Sequence, residues 1–146
     1  FNTFINMKKL LFILVAMLSL CACSSSDDEN VSNAFSFNGK EYQISKASIS
    51  ARGLHLSSND YKLEVWNCDF EIGKKNYLSA FDNALAFLSK ANGEYQNYVY
   101  MWNVGKIKDD SYVTIKKNED DNRTYVEVYV DDGTKVVKAK YYGTIN

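Results

Sequence analysis

Arg123-Thr124-Tyr125-Val126-Glu127-Val128-Tyr129-Val130, then Asp131-Asp132-Gly133-Thr134, then Lys135-Val136-Val137-Lys138-Ala139-Lys140-Tyr141-Tyr142-Gly143-Thr144-Ile145: this stretch decides the fold. Val126, Val128 and Val130 alternate with Tyr125, Glu127 and Tyr129, which is the period of two that a half-buried strand requires. Asp131-Asp132-Gly133 is turn chemistry, because Asp bonds its own backbone and Gly accepts positive φ. Beyond the turn Val137, Ala139 and Tyr141 repeat the apolar face. Upstream, residues 111–117 alternate in the same way around Val113 and Ile115, and the acidic, Asn-containing residues 118–122 separate them from the next strand. Strands joined by connections this short pair antiparallel, with one face packed and one face wet.

Working outward, Phe35-Ser36-Phe37-Asn38-Gly39-Lys40-Glu41-Tyr42-Gln43-Ile44 reads as a hairpin. Asn-Gly accepts the two positive φ angles of a type I′ turn, and Phe35, Phe37, Tyr42 and Ile44 alternate with polar residues on either side of it. Residues 53–57 and 61–70 read as two strands around Ser58-Asn59-Asp60, and residues 94–104 as another. Two readings stay open at residues 77–90. Leu78, Phe81, Leu85 and Leu88 recur at spacings of three and four, which favours a short helix stopped by Ala91-Asn92-Gly93; the competing reading is a strand through residues 84–88. The chain has no proline and is 14% aromatic, a composition that leans towards strands. The expected fold is mainly β: an antiparallel β-sandwich or partly closed barrel of about eight strands, with that one short helix.

The front of the chain carries an address. Met7-Lys8-Lys9 precedes an apolar run from Leu10 to Leu20. The run matches the charged and apolar regions of a secretory signal and falls short of the roughly 20 residues that span a bilayer. Leu20-Cys21-Ala22-Cys23 resembles the bacterial lipobox, with an aliphatic residue three before the cysteine and a small one directly before it. The resemblance implies cleavage before Cys23 and lipidation of its sulfur, so that the protein is held at a membrane by acyl chains rather than by a span. Ser24-Ser25-Ser26-Asp27-Asp28-Glu29-Asn30 has nothing to bury and is expected to be a tether. The expected organisation is an upstream extension at residues 1–6, a signal peptide at 7–22, a lipidated flexible tether at 23–33 and a single β-rich domain at 34–146.

Phe37-Asn38-Gly39-Lys40-Glu41-Tyr42 and the closing Tyr112-Val113-Thr114-Ile115, Tyr125-Val126-Glu127-Val128 and Asp132-Gly133-Thr134-Lys135-Val136 are similar to the opening and closing strands of small Bacteroidota lipoproteins. The resemblance implies an architecture and an outer-membrane location, on the periplasmic or cell-surface face. It implies no reaction.

Chemistry is sparse. Once Lys8 and Lys9 leave with the signal, the net charge falls from −1 to about −3, so there is no basic footprint for nucleic acid. Cys68 would be the sole thiol left unmodified and reads as a buried small apolar residue. His55, the only histidine, falls opposite Leu54 and Leu56 and is expected at the surface; no hydrolase motif surrounds it. The acidic groups at 109–110, 119–121 and 131–132 lack the glycine and terminal glutamate of an EF-hand loop, so no metal and no cofactor are expected.

What remains is aromatic. If Val99 and Met101 are core, Tyr98, Tyr100 and Trp102 form an exposed stripe, and Tyr125 and Tyr129 lie on the wet side of their strand. Rings with polar tips suit sugars or a protein partner. The expected function is non-enzymatic recognition at the envelope, with Tyr98, Tyr100, Trp102, Tyr125 and Tyr129 as the contact residues and glycan as the concrete ligand. The alternatives are a protein-interaction module, such as an inhibitor or accessory subunit of an envelope complex, and a small-ligand carrier.

Overall fold

A computed structural model describes residues 31–92, 98–103 and 105–146. The upstream extension, the signal peptide, Cys23 and all but the last three residues of the tether lie outside the described residues. The compact unit Val31–Asn146 carries the whole described core. Its strands are β1 (Ala34–Phe37), β2 (Lys40–Gln43), β3 (Lys46–Ser50), β4 (Gly53–Ser57), β5 (Tyr61–Trp66), β6 (Lys75–Tyr77), β7 (Leu85–Lys90), β8 (Tyr98–Asn103), β9 (Tyr112–Asn118), β10 (Arg123–Asp131) and β11 (Val136–Gly143), with one 3₁₀ turn at Leu78–Ala80.

Two antiparallel sheets form, one ordered β2-β1-β11-β10-β9-β6 and the other β3-β4-β5-β7-β8. The β1–β2 turn is the one the sequence predicts, with Asn38 at φ 52° and Gly39 at φ 73°. Between β2 and β3 the chain changes sheets. Ile44 N–H donates to the Asn33 carbonyl at 2.7 Å, and Ser45 N–H donates to the Ser57 carbonyl at 2.8 Å.

The inner faces meet in one apolar cluster. Phe35, Phe37, Val113, Ile115, Val126, Val128, Val130, Val137 and Ala139 come from the six-stranded sheet; Leu54, Leu56, Leu63, Val65, Ala86, Leu88 and Trp102 come from the other. At about 1.5–3 kcal/mol for each large side chain taken from water, this burial is what drives the two layers together. Cys68 is buried in the same cluster as a free thiol. Among the described residues the result is a sandwich of eleven strands rather than eight: the short β3 and β6 carry too little pattern to read as separate strands, and β7 falls where the favoured expectation is a helix. No barrel closes.

No α-helix forms at residues 77–90, where Leu78–Ala80 makes a single 3₁₀ turn. Tyr77 ends β6, and β7 runs through the centre of its sheet between β5 and β8. A central strand can be apolar on both sides. Ala86 and Leu88 enter the core while Phe87 is buried on the outer face, so Leu78, Phe81, Leu85 and Leu88 only imitate a helical period.

Candidate functional site

The predicted stripe on β8 does not form. Leu88 pairs with Tyr100 and Ala86 with Trp102, whereas Ser89 pairs with Tyr98, so Val99 is the extra residue of a β-bulge. Partners across a ladder share a face. Trp102 therefore follows Ala86 inward and is 0% exposed; Tyr100 follows Leu88 and is half-buried. The Trp102 indole N–H donates to the Lys135 carbonyl at 3.0 Å, and the Tyr100 hydroxyl donates to Asp132 Oδ2 at 2.5 Å. That bond pushes the Tyr100 hydroxyl up to about 12, with burial adding to it. These two rings fasten the five-stranded sheet to the β10–β11 turn. Only Tyr98 reaches the outer face, at 43% exposure, together with Val99 at 43% and Met101 at 45%.

That outer face holds an aromatic chain of its own. Tyr98 packs edge-on against Phe87 at 5.0 Å between centroids, Phe87 stacks on Trp66 at 6.3 Å, and Trp66 meets the edge of His55 at 5.3 Å. His55 is on the surface side, as its alternation with Leu54 and Leu56 predicts, and Nδ1 lies 2.6 Å from Glu64 Oε1 across the β4–β5 ladder. Ser50 Oγ lies 3.5 Å from His55 Nε2. The order serine, histidine, carboxylate is that of a nucleophilic triad, but the local hairpin accounts for it. Ser50 Oγ donates to the Gly53 carbonyl and accepts the Arg52 N–H, both at 3.4 Å. Two clefts among the described residues lie elsewhere, one around Asn67, Phe81 and Leu85 and the other around Ile49, Ile115 and Ile145. His55 and Glu64 are a cross-strand pair on an open sheet.

Tyr125 and Tyr129 lie on the outer face of the six-stranded sheet, where their alternation with the core valines places them. The ladder puts Lys138, Tyr129, Tyr112 and Tyr77 in one row across β11, β10, β9 and β6. The next row is Lys140, Glu127, Thr114 and Lys75, and the one after it Tyr142, Tyr125 and Lys116. Tyr112 and Tyr129 stack at 6.0 Å, Lys75 Nζ sits 4.0 Å from the Tyr112 centroid, and Lys138 Nζ lies 5.8 Å from that of Tyr129. Tyr77 is 46% exposed.

The carboxylates of this face are engaged. The Tyr125 hydroxyl donates to Glu127 Oε2 at 3.2 Å, the Lys108 ammonium donates to Asp131 Oδ2 at 2.7 Å, and the Tyr142 hydroxyl donates to Asp121 Oδ2 at 2.6 Å. The Lys108 bond holds Asp131 below the usual carboxylate range, and the Tyr142 bond does the same for Asp121. Burial raises Tyr112 and Tyr129, and the neighbouring Glu127 and Asp131 raise them further, so both hydroxyls stay protonated; that of Tyr129 donates to Asp131 Oδ2 at 3.4 Å and can still accept.

Sequence reasoning found one tyrosine of this row, Tyr129, and missed the other two. Tyr77 was assigned to the helix that does not form. Tyr112 carried a usable signal, since it alternates with Thr114 and Lys116 against Val113 and Ile115.

Among the described residues, no group of three His, Cys, Asp or Glu side chains could hold a metal, and no helix is long and apolar enough to cross a membrane. No family model, no curated protein and no solved structure matches this chain.

Proposed function

We propose that this chain is an exported, lipid-anchored recognition protein that binds glycan on the outer face of its six-stranded sheet, with no reaction of its own. The observation that carries the reading is the row Tyr129, Tyr112, Tyr77, three tyrosines in register on adjacent strands. Strands lie about 4.8 Å apart, so the row is about 10 Å long. Its rings offer apolar surface, and its hydroxyls offer hydrogen bonds, on side chains with only two rotatable angles to fix. A sheet holds them without help from the ligand, which keeps the ordering cost of binding low. Cys23 would place this face at the envelope.

The test is a polysaccharide array probed with the unit Val31–Asn146 as wild type, Tyr112→Ala and Tyr129→Ala, with circular dichroism confirming the fold of each. Saturable binding that both variants lose supports the reading; array-wide silence at millimolar sugar ends it. Radiolabelled acyl donor should enter the full chain in a bacterial host and fail to enter Cys23→Ala.

The second reading is a protein partner, favoured by one observation. β8 is an edge strand of the five-stranded sheet, and Tyr98, Val99 and Met101 are exposed on it. An edge of this kind can accept an added strand. Met101→Lys separates the two readings, because it spoils the edge and leaves the tyrosine row untouched.

A further inference from the structure

Lysines frame the tyrosine row, and their number is out of keeping with the chain around them. Lys75, Lys116, Lys138 and Lys140 all stand exposed on the outer face of the six-stranded sheet. The whole chain has more acidic than basic residues, 18 against 17. Among the described residues the ion pairs are His55 with Glu64, Lys74 with Glu71, Lys108 with Asp131 and Arg123 with Asp121. None of the four framing lysines takes part in them. Two acids beside this face are paired with other cations, Asp131 with Lys108 and Asp121 with Arg123. Glu127, between Lys140 and Thr114, and Glu41, beyond Ser36 in the Lys138 row, keep their charges, which leaves four lysines against two carboxylates.

The placement matters as much as the count. Lys138 continues the tyrosine row beyond Tyr129, and Lys75 leans over Tyr112 near its other end. Lys140 and Lys75 close the neighbouring row, three strand spacings apart, or about 14 Å. An extended ligand lying along the tyrosines would meet a cation at each end and Lys116 along its flank.

We infer that the ligand of this face is an anionic polysaccharide, a sugar chain bearing carboxylate or sulfate groups at intervals of two to three residues. The inference rests on the glycan reading above and narrows it. Sugar rings take the tyrosines and their hydroxyls, the acidic groups take the lysines, and the surplus of lysine over Glu127 and Glu41 on this face draws the polymer in from solution. A single-stranded nucleic acid shares the charge, but it needs open ring faces on which to stack its bases. Tyr112 and Tyr129 stack on each other and are half-buried, so a sugar meets them through ring edges and hydroxyls, while a run of bases finds little open face.

The experiment measures binding of the unit Val31–Asn146 to polygalacturonate, dextran sulfate, neutral dextran and oligothymidylate at 20 and 300 mM NaCl. Binding of an acidic polymer is expected to weaken about tenfold or more over that range as the Debye length shrinks from about 20 Å to about 6 Å, and neutral dextran is expected to bind at least ten times more weakly. The double variant Lys75→Ala/Lys138→Ala should lose about tenfold, Lys75→Arg/Lys138→Arg should keep most of the affinity, and Lys46→Ala/Lys62→Ala on the opposite sheet should change nothing. Neutral dextran binding as well as the acidic polymers would overturn the inference and leave glycan recognition standing. Tighter binding to oligothymidylate, or equal loss from the Lys46 and Lys62 variant, would also overturn it. Silence towards every sugar polymer would bring down both.

Discussion

Replacing Trp102 by alanine separates a core tryptophan from a ligand-binding one. The indole is wholly buried, meets the edge of Phe37 at 5.5 Å and Tyr100 at 4.7 Å, and donates to the Lys135 carbonyl at 3.0 Å. Emptying such a site costs about 3–5 kcal/mol, and the Lys135 carbonyl loses its donor as well. Against a total stability of about 5–15 kcal/mol, that is about a fifth of the fold or more. At roughly 4 °C or more per kcal/mol for a domain of this size, the melting temperature should fall on the order of 15 °C. Trp66 is the internal control, because it is half-buried on the outer face of the same sheet. The assay is urea unfolding of Val31–Asn146 followed by far-ultraviolet circular dichroism, with Trp102→Phe as a third variant that keeps a ring and loses the hydrogen bond. The expected order of destabilisation is Trp102→Ala, then Trp102→Phe and Trp66→Ala well below it. A Trp102→Ala midpoint equal to that of Trp66→Ala would refute the inward orientation of β8, and with it the bulge at Val99.

Three further outcomes follow from local geometry. Burial pushes the Cys68 thiol up to about 12, so an aromatic disulfide reagent at pH 8 should label native Val31–Asn146 only as fast as it unfolds; labelling within seconds would place Cys68 at the surface. Asp131 titrates below its unfolded value because Lys108 and the Gly133 N–H bond its carboxylate. Its contribution to stability is therefore complete above about pH 4 and is lost as pH falls through the lower folded value; urea midpoints from pH 5 to pH 2 should decline less steeply in Asp131→Asn than in wild type, and parallel curves would contradict the pairing. At Gly53 a Cβ would stand 2.3 Å from the Val65 carbonyl oxygen, so Gly53→Ala must push β4 from β5 and should cost about 1–3 kcal/mol, read as a shifted urea midpoint; an unchanged midpoint would show that the two strands are not so closely apposed.

The Asn38-Gly39 hairpin, the β9–β10–β11 meander and the surface position of His55 were legible because each rests on neighbours in sequence. Turn residues fix a hairpin locally, and alternation of valine with polar residues leaves one choice of inner face. The same rule placed Tyr125 and Tyr129 outside. It failed at Tyr98, Val99, Tyr100, Met101 and Trp102, where both faces are apolar and the pattern offers no preference. The side that enters the core there is chosen by Ala86 and Leu88 on the neighbouring strand, and the bulge at Val99 then turns Tyr98 away from Tyr100. At residues 77–90 it left a helix and a strand both open, since a strand covered on both faces has no period to read, and β7 decides for the strand.

By itself the sequence determined a mainly β chain, its strong turns and the inner face of each strand whose two sides differ in polarity, because these depend on contacts within a few residues. Only the tertiary structure decided the assembly into sheets of six and five strands, the inward turn of Trp102 and the convergence of Tyr77 and Lys75 with Tyr112, Tyr129 and Lys138. Those depend on which strands become neighbours, and pairing across tens of residues is set by how the two apolar layers fit together rather than by any local signal.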